Sequence, residues 1–145
     1  MVKFVKSDVQ EVVRQCVFKF KQHAAETNTD RFQLNTEMYF ALERSGVLDV
    51  FAVVNEEEEI VGYLPAIRMT HHRQNINNVI VDCIFLDSKY RGTNIAYRFL
   101  DFVVAYYYEN GNNDYINISL DKKYTRFMDS LGFFEESINF TKPLT

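Results

Sequence analysis

The segment that most constrains this chain is a nearly continuous apolar stretch followed by a polar turn and an amphipathic helix. Residues 79–86 are apolar except for Asp82, which is typical of a central strand covered on both faces. After the turn, residues 96–107 place apolar side chains along one helical face. Residues 115–120 then show the alternation of a strand. Because a helix joins them, the two strands are predicted to pair in parallel.

The remaining segments complete an α/β pattern whose length, 145 residues, fits one domain spanning 1–145. Asp8 and Glu11 have the spacing of a capping box and stand at the start of a helical apolar stripe. The other predicted elements are strands at 2–5, 50–54, 60–64 and 133–144 and helices at 8–25, 35–44 and 122–131. The resulting order, β-α-α-β-β-β-α-β-α-β, predicts a single α/β domain with a mixed sheet.

Composition argues against several classes of protein. Sixteen Lys and Arg against 20 Asp and Glu give a net charge of −4, which does not favour a nucleic-acid binder. No apolar run approaches the length of about 18 residues that a membrane span needs. The N-terminus lacks the apolar core of a signal peptide, so we expect a cytoplasmic protein. Cys16 and Cys83 are too few for a disulfide scaffold and are expected to be reduced and buried.

The aromatic content, 13 Phe and 9 Tyr, raises the question of a stacking surface for nucleic-acid bases. Residues 106–108 are three consecutive tyrosines, and on a helix they point in three directions, so they cannot form one stacking strip. The aromatic residues are predicted to lie largely on core faces. This group includes Phe99, Phe102, Tyr107, Phe127 and Phe133.

The turn that precedes the central helix is a candidate phosphate site. A helix N-terminus presents unpaired backbone N–H groups and a partial positive charge, and both favour phosphate. Arg91 adds a cation there, and Gly92-Thr93-Asn94 allow a tight approach of the backbone. Many strand-to-helix turns share these features without binding a ligand, so the physics alone does not identify one.

Residues 86–100 resemble the acetyl-CoA-binding motif of the GNAT acetyltransferase superfamily, Arg/Gln-x-x-Gly-x-Gly/Ala after a strand. Residues 60–63 are similar to the hairpin strand that precedes this motif in the family, and residues 122–133 to its last helix and Gly-Phe turn. The predicted element order agrees with the GNAT fold along nearly the whole chain. The resemblance therefore implies a small, single-domain, somewhat divergent member with a mixed, mostly antiparallel central sheet and flanking helices.

The resemblance implies an N-acetyltransferase that uses acetyl-CoA as co-substrate and needs no metal. A primary amine of a small molecule or protein would attack the thioester directly. The pantetheine arm would lie between two splayed strands and pair with main-chain groups of Ile84 and Leu86. A backbone N–H near Phe85 or Leu86 would stabilise the oxyanion. The implied cofactor-binding residues are Ile84, Phe85, Leu86, Arg91, Gly92, Thr93, Asn94, Ile95, Ala96 and Tyr97.

Two positions depart from the family pattern and bear on catalysis. Asn94 stands where the family has glycine, and Met128 stands where it often has the tyrosine that protonates the leaving thiolate. Tyr124 lies one helical turn before Met128 and is the candidate general acid, with a packing role as the alternative. Asp82 is the candidate base, since a carboxylate buried in an apolar strand has a raised pKa; an exposed or paired aspartate is the alternative.

These departures keep a second hypothesis open, a catalytically weak or inactive GNAT-fold protein that acts as a binding or assembly component. The small, asparagine-rich chain suggests a phage origin for such a component. A homodimer is a further expectation for this fold. His71 and His72 are neighbours on a strand end and point to opposite faces, so no shared metal ion is expected. Residues 26–45 and 70–78 would set the acceptor, and they carry no recognisable motif.

Overall fold

The computed structural model describes residues 1–26, 35–71, 75–136, 140 and 142–144. Its strands are β1 (Lys3–Ser7), β2 (Leu48–Val54), β3 (Ile60–His71), β4 (Ile76–Val81), β5 (Phe85–Leu86) and β6 (Tyr115–Ile118). Its α-helices are α1 (Val9–Glu26), α2 (Thr36–Arg44), α3 (Ile95–Glu109) and α4 (Thr125–Ser130). Short 3₁₀ helices span Ser88–Tyr90 and Lys122–Tyr124. The order of these elements confirms the predicted α/β class.

The six strands form one sheet in the order β1-β2-β3-β4-β6, with β5 paired to β3. Every pairing is antiparallel except that of β4 with β6, which runs from Asn78 opposite Tyr115 to Val81 opposite Ile118. The predicted parallel pair is therefore confirmed, and the sheet is mixed and mostly antiparallel.

The predicted strand at 79–86 is interrupted, and it forms the two strands β4 and β5. Val81 is paired with Ala66, and Phe85 is paired with Tyr63. Three residues, 82–84, therefore stand opposite the two residues 64–65. One strand thus has one residue more than its partner, which defines a β-bulge. Pro65 has no N–H to donate, while its carbonyl accepts from the Asp82 N–H at 2.9 Å. The extra residue and the missing donor together break the ladder.

Helices cover both faces of the sheet, so the core has two layers of side chains. On one face α3 buries Phe99 and Tyr107 against Phe51 of β2. On the other face α1 buries Cys16 and Phe20. Neighbouring residues of β2 point to opposite layers, and the whole strand is buried, as the apolar sequence of a central strand requires.

Local signals explain where the helices begin and end. The Asp8 side chain accepts a hydrogen bond from the Glu11 N–H at 2.8 Å, which caps α1 as its sequence predicts. The Asn35 side chain caps α2 in the same way, accepting from the Met38 N–H at 3.0 Å. After α2, Gly46 has a φ of 80°, the left-handed conformation that glycine adopts readily at a helix end.

The final strand predicted at 133–144 is wrong for the residues that the structure describes. Residues 133–136, 140 and 142–144 belong to no strand, while 137–139 and 141 lie outside the described residues. Phe134 is 73% exposed and Phe140 is 93% exposed. These apolar side chains bury too little surface to offset the entropy of ordering a strand.

Candidate functional site

The sheet divides beyond the last pair of β4 and β6. β6 ends at Ile118, opposite Val81, and β5 continues the line of β4 only after the bulge at 82–84. β5 is paired with β3 on one side, and within the described part of the chain no strand covers its other side. The result is a short, open strand edge in the middle of the domain.

The direction of the main-chain groups along this edge follows from the pairing with β3. The Asp87 N–H donates to the Val61 carbonyl at 2.8 Å. Successive residues of an antiparallel strand turn their main-chain groups to alternate sides, so Phe85 and Asp87 face β3. Leu86 therefore presents its N–H and C=O groups to the open side, and Ile84 lies next to this edge in the bulge.

The turn after β5 brings the predicted phosphate-binding residues together. Gly92 adopts a φ of 72°, which lets the chain reverse into α3. Asn94 is the N-cap of α3, and its side chain makes no capping hydrogen bond. The first N–H groups of a helix have no partner within it, and here the Ile95 N–H makes only a long hydrogen bond, 3.3 Å, to Thr93 Oγ1. The helix start is therefore open to an anion.

Asn94 replaces a glycine of the family motif without backbone strain. Its φ is −80° and its ψ is 7°, an ordinary conformation for any residue. The position therefore does not need glycine for conformational reasons in this chain. The side chain makes no capping bond and stands at the start of α3, where it adds an amide donor.

Arg91 does not extend toward the helix start. Its Nε donates to the Leu86 carbonyl oxygen at 2.6 Å, and its Nη2 lies 2.7 Å from Glu26 Oε2 of α1. The guanidinium carbon is 5.7 Å from the centre of the Phe85 ring. The hydrogen bond from Arg91 holds the pKa of the Glu26 carboxyl below its ordinary value. Glu26 is 65 residues away in sequence and carries no local signal, so sequence analysis missed it.

Asp82 is exposed, so the expectation of a buried carboxylate is wrong. The bulge at 82–84 takes this residue out of the regular strand, and its side chain reaches solvent. The Tyr39 hydroxyl of α2 donates a hydrogen bond to the Asp82 carboxylate. Burial and this hydrogen bond raise the pKa of the Tyr39 phenol. The burial on which the general-base argument rested is absent.

Tyr124 lies outside the buried core. It ends the 3₁₀ helix Lys122–Tyr124 and is the N-cap of α4, with 42% of its surface exposed. Lys123 Nζ lies 5.1 Å from the centre of its ring. Met128 instead packs, half-buried, against the core layer on the α3 side. The two positions considered for the general acid thus have different environments. Met128 packs against the core, and Tyr124 is accessible to solvent.

A buried histidine behind β5 is the second feature that sequence analysis missed. His23 Nδ1 lies 3.1 Å from the Tyr63 hydroxyl, and its ring centre is 5.3 Å from that of Phe85. Burial lowers the pKa of the His23 imidazole. Cys16, Phe20 and His23 follow one another at helical spacing. That stripe was the available signal, and it places the imidazole in the layer between α1 and β5.

No protein-family model matches this sequence, and a search of curated proteins finds no match either. Solved structures match this chain over nearly the full length of both proteins. Glucosamine-6-phosphate N-acetyltransferase from Arabidopsis thaliana superposes with a TM-score of 0.78 at 12% identity, covering 100% of this chain and 99% of that one. A possible acetyltransferase from Clostridium difficile superposes with a TM-score of 0.77 at 13% identity, and the match covers 100% of this chain and 98% of that one.

The chain has the GNAT acetyltransferase fold. An aminoglycoside acetyltransferase from an uncultured soil metagenomic sample, in complex with sisomicin, also shares this GNAT fold. It superposes with a TM-score of 0.74 at 14% identity, and the match covers 99% of this chain and 97% of that one. At identities this low, the superpositions establish the shared architecture and do not establish the activity.

Within the GNAT fold, the predicted cofactor-binding residues lie together on one continuous stretch. They run from the open edge at Ile84 and Leu86 through the turn to the first residues of α3. The two catalytic candidates lie on separate elements, Asp82 at the bulge and Tyr124 at the start of α4. Among the described residues, no cluster of His, Cys, Asp and Glu side chains has the arrangement of a metal site, and none of the helices is long and apolar enough to cross a membrane.

Proposed function

We propose that this chain binds acetyl-CoA along the open edge of β5 and transfers its acetyl group to a primary amine. The observation that carries the proposal is the separation of β5 from β6. It leaves the main-chain groups of Ile84 and Leu86 unpaired with any strand, beside the open N-terminus of α3. The pantetheine arm needs hydrogen-bonding groups along a strand edge, and its pyrophosphate needs N–H donors and positive charge. Both lie next to each other here.

The bound orientation follows from where these groups point. The N–H groups of residues 92–97 hold the pyrophosphate, and the edge groups of Ile84 and Leu86 hold the pantetheine amides. The main-chain N–H of Phe85 faces β3, whereas that of Leu86 faces the open side. Leu86 is therefore the better donor to the oxyanion that forms when the amine attacks the thioester carbon.

The transfer itself requires two proton movements. A carbon–nitrogen bond forms between the amine and the acetyl carbon, and the carbon–sulfur bond breaks to release the thiolate of CoA. We assign Tyr124 as the group that protonates this thiolate, because its hydroxyl is on an accessible side chain near the start of α4. We assign Asp82 as the acceptor of the amine proton, because its carboxylate is exposed to an incoming amine and is oriented by the Tyr39 hydroxyl; this assignment rests on access and not on burial.

The acceptor class is proposed as a small molecule or protein that carries a primary amine. The structural neighbours include an acetyltransferase of glucosamine-6-phosphate and one of aminoglycosides. A cytoplasmic setting and a homodimer complete the proposal. Light scattering on the purified chain decides between monomer and dimer.

Thermal unfolding with and without acetyl-CoA tests the binding. A ligand present at about one hundred times its dissociation constant adds about 2.7 kcal/mol to the stability of the folded state. Arg91→Glu should abolish that shift, since it replaces the cation near the phosphates with a negative charge. Arg14→Glu makes the same charge change on α1 and should retain the shift. No shift at millimolar acetyl-CoA with the wild-type chain contradicts the proposal.

A catalytically weak GNAT protein is the second candidate, and Met128 at the general-acid position is the observation that favours it. Thiol release from acetyl-CoA in the presence of a panel of amines separates the two candidates. Acceptor-dependent release that falls at least tenfold in Tyr124→Phe, with acetyl-CoA binding retained, supports the enzyme and its acid. Tight binding of acetyl-CoA with no release for any amine supports the binding component.

A further inference from the structure

Glu26 and Arg91 form a clasp across the open edge of β5. Glu26 lies on α1, and its Oε2 lies 2.7 Å from Arg91 Nη2. The same guanidinium donates through Nε to the Leu86 carbonyl at 2.6 Å. The side chains of Arg91 and Glu26 are 41% and 33% exposed, so the ion pair is partly shielded from water. Its effect is to hold a cation against the strand edge.

The Leu86 carbonyl is the group for which the clasp and a bound ligand compete. It points to the open side of β5, where an amide N–H of the pantetheine arm needs an acceptor. In this structure Arg91 already donates to that oxygen, and its guanidinium lies 5.7 Å from the centre of the Phe85 ring. A ligand arm that follows the edge therefore meets Arg91 and has to displace it.

Both carboxylate oxygens of Glu26 accept hydrogen bonds. Gln22 donates to Oε1 at 3.0 Å, and Arg91 Nη2 donates to Oε2 at 2.7 Å. Two donors on two different oxygens fix the orientation of the carboxylate, and the charged one is the guanidinium. The Glu26 side chain is therefore placed to hold Arg91.

We propose that Glu26 is a positioning residue that holds Arg91 across Leu86 until a ligand with a diphosphate group draws the guanidinium away. This role rests on the proposed function. A diphosphate offers Arg91 more negative charge than one carboxylate does, together with bidentate hydrogen bonds. Its arrival frees the Leu86 carbonyl for the pantetheine arm. The exchange makes the open edge selective for ligands that carry both the arm and the phosphates.

The proposal predicts that Glu26 lowers the affinity for acetyl-CoA, because part of the binding free energy is used to break the clasp. Calorimetric titration of acetyl-CoA into Glu26→Gln should give binding about 2- to 5-fold tighter than wild type, in line with the modest strength of partly exposed ion pairs. Glu26→Asp keeps the charge and should return the affinity toward the wild-type value. Glu11→Gln breaks the 2.6 Å ion pair to Arg14 on the same helix and should leave the affinity unchanged.

Two further readouts separate positioning from a general structural role. Raising the salt concentration should narrow the difference between wild type and Glu26→Gln, since the ion pair is screened. The Arg91 Nε–H resonance of the ligand-free protein should be protected from exchange in wild type and lose that protection in Glu26→Gln. Neither change is expected if Glu26 only stabilises α1.

The outcomes of this experiment also distinguish the clasp from the proposed function. Binding that is equal or weaker in Glu26→Gln than in wild type overturns the positioning role and leaves acetyl-CoA binding established. An Arg91 Nε–H that exchanges equally fast in both proteins overturns the clasp whether or not acetyl-CoA binds. Failure of every variant to bind acetyl-CoA refutes the proposed function itself, and with it the ligand exchange.

Discussion

Replacing Gly62 by alanine should damage the open edge of β5 directly. Gly62 of β3 is paired with Leu86, and a Cβ added there would lie 2.9 Å from the Phe85 carbonyl oxygen. It would also lie 3.0 Å from Leu86 Cδ1 and 3.1 Å from Val53 Cγ2. The two side-chain atoms can rotate away, but the carbonyl belongs to the backbone of β5. The strand must therefore move by several tenths of an ångström.

The expected size of the effect follows from two opposing contributions to the free energy of unfolding. Overpacking of this kind costs about 1–3 kcal/mol, while alanine in a strand gains about 0.5–1 kcal/mol over glycine. The clash outweighs the gain, so Gly62→Ala should lower the free energy of unfolding by about 1–2 kcal/mol. At about 2–4 °C per kcal/mol, the melting temperature should fall by about 2–8 °C. Because the shifted strand carries Leu86, acetyl-CoA affinity should fall about 3- to 10-fold.

A second glycine provides the matched control. Gly46 has a φ of 80°, and a Cβ added there would have no heavy atom within 4 Å, so Gly46→Ala is strained without any clash. It should lose about 1–2 kcal/mol of stability and keep its affinity for acetyl-CoA. Urea unfolding and calorimetric titration measure both quantities. A Gly62→Ala protein with wild-type stability and affinity would refute the reasoning.

Three other predictions concern polar groups that are buried or, in the case of Cys83, half-buried rather than buried as the sequence predicts. The Tyr107 hydroxyl donates to the buried Asp49 carboxylate at 2.7 Å. Tyr107→Phe should therefore lower the free energy of unfolding, measured in urea, by about 1.5–3 kcal/mol. A loss below about 0.5 kcal/mol, on the order of experimental error, would disprove this prediction. Burial lowers the pKa of His23, so the folded state binds its proton less readily than the unfolded state does. The free energy of unfolding should therefore fall as the pH drops below about 6.5, by at most about 1.4 kcal/mol per pH unit. If the free energy of unfolding of wild type and of His23→Gln depends on pH in the same way, the prediction fails. Burial raises the pKa of the Cys16 thiol to about 11 and that of the Cys83 thiol to about 12. Neither thiol should therefore react with Ellman's reagent at neutral pH before the protein unfolds. Rapid reaction of one thiol equivalent in the folded protein would contradict this prediction.

Sequence patterns predicted the parts of the fold that local physics controls. The helix predicted at 8–25 is observed as Val9–Glu26, because its apolar stripe and its Asp8 cap act between near neighbours. The parallel pair around the helical crossover was equally readable, since chain connectivity and handedness leave few alternatives. The turn at residues 91–94 and the helix start that follows it could be predicted because their signal is contained in one short segment.

The errors arise where distant segments decide the outcome. The bulge that exposes Asp82 depends on the register of β4 and β5 against β3, and on Pro65 standing opposite. The alternation of one strand contains no information on how many residues its partner uses. The clasp between Glu26 and Arg91 joins residues 65 positions apart, and neither carries a local signal for the other. Such features become visible only once the chain is folded.

The most direct test of the central claim is to observe the backbone amides while acetyl-CoA is added. In a ¹H–¹⁵N spectrum of the labelled chain, we expect saturable shifts concentrated at Ile84, Leu86 and residues 92–97. Arg91→Glu should remove those shifts while leaving the rest of the spectrum intact. Saturable shifts centred on another part of the chain, or none at millimolar acetyl-CoA, would contradict it.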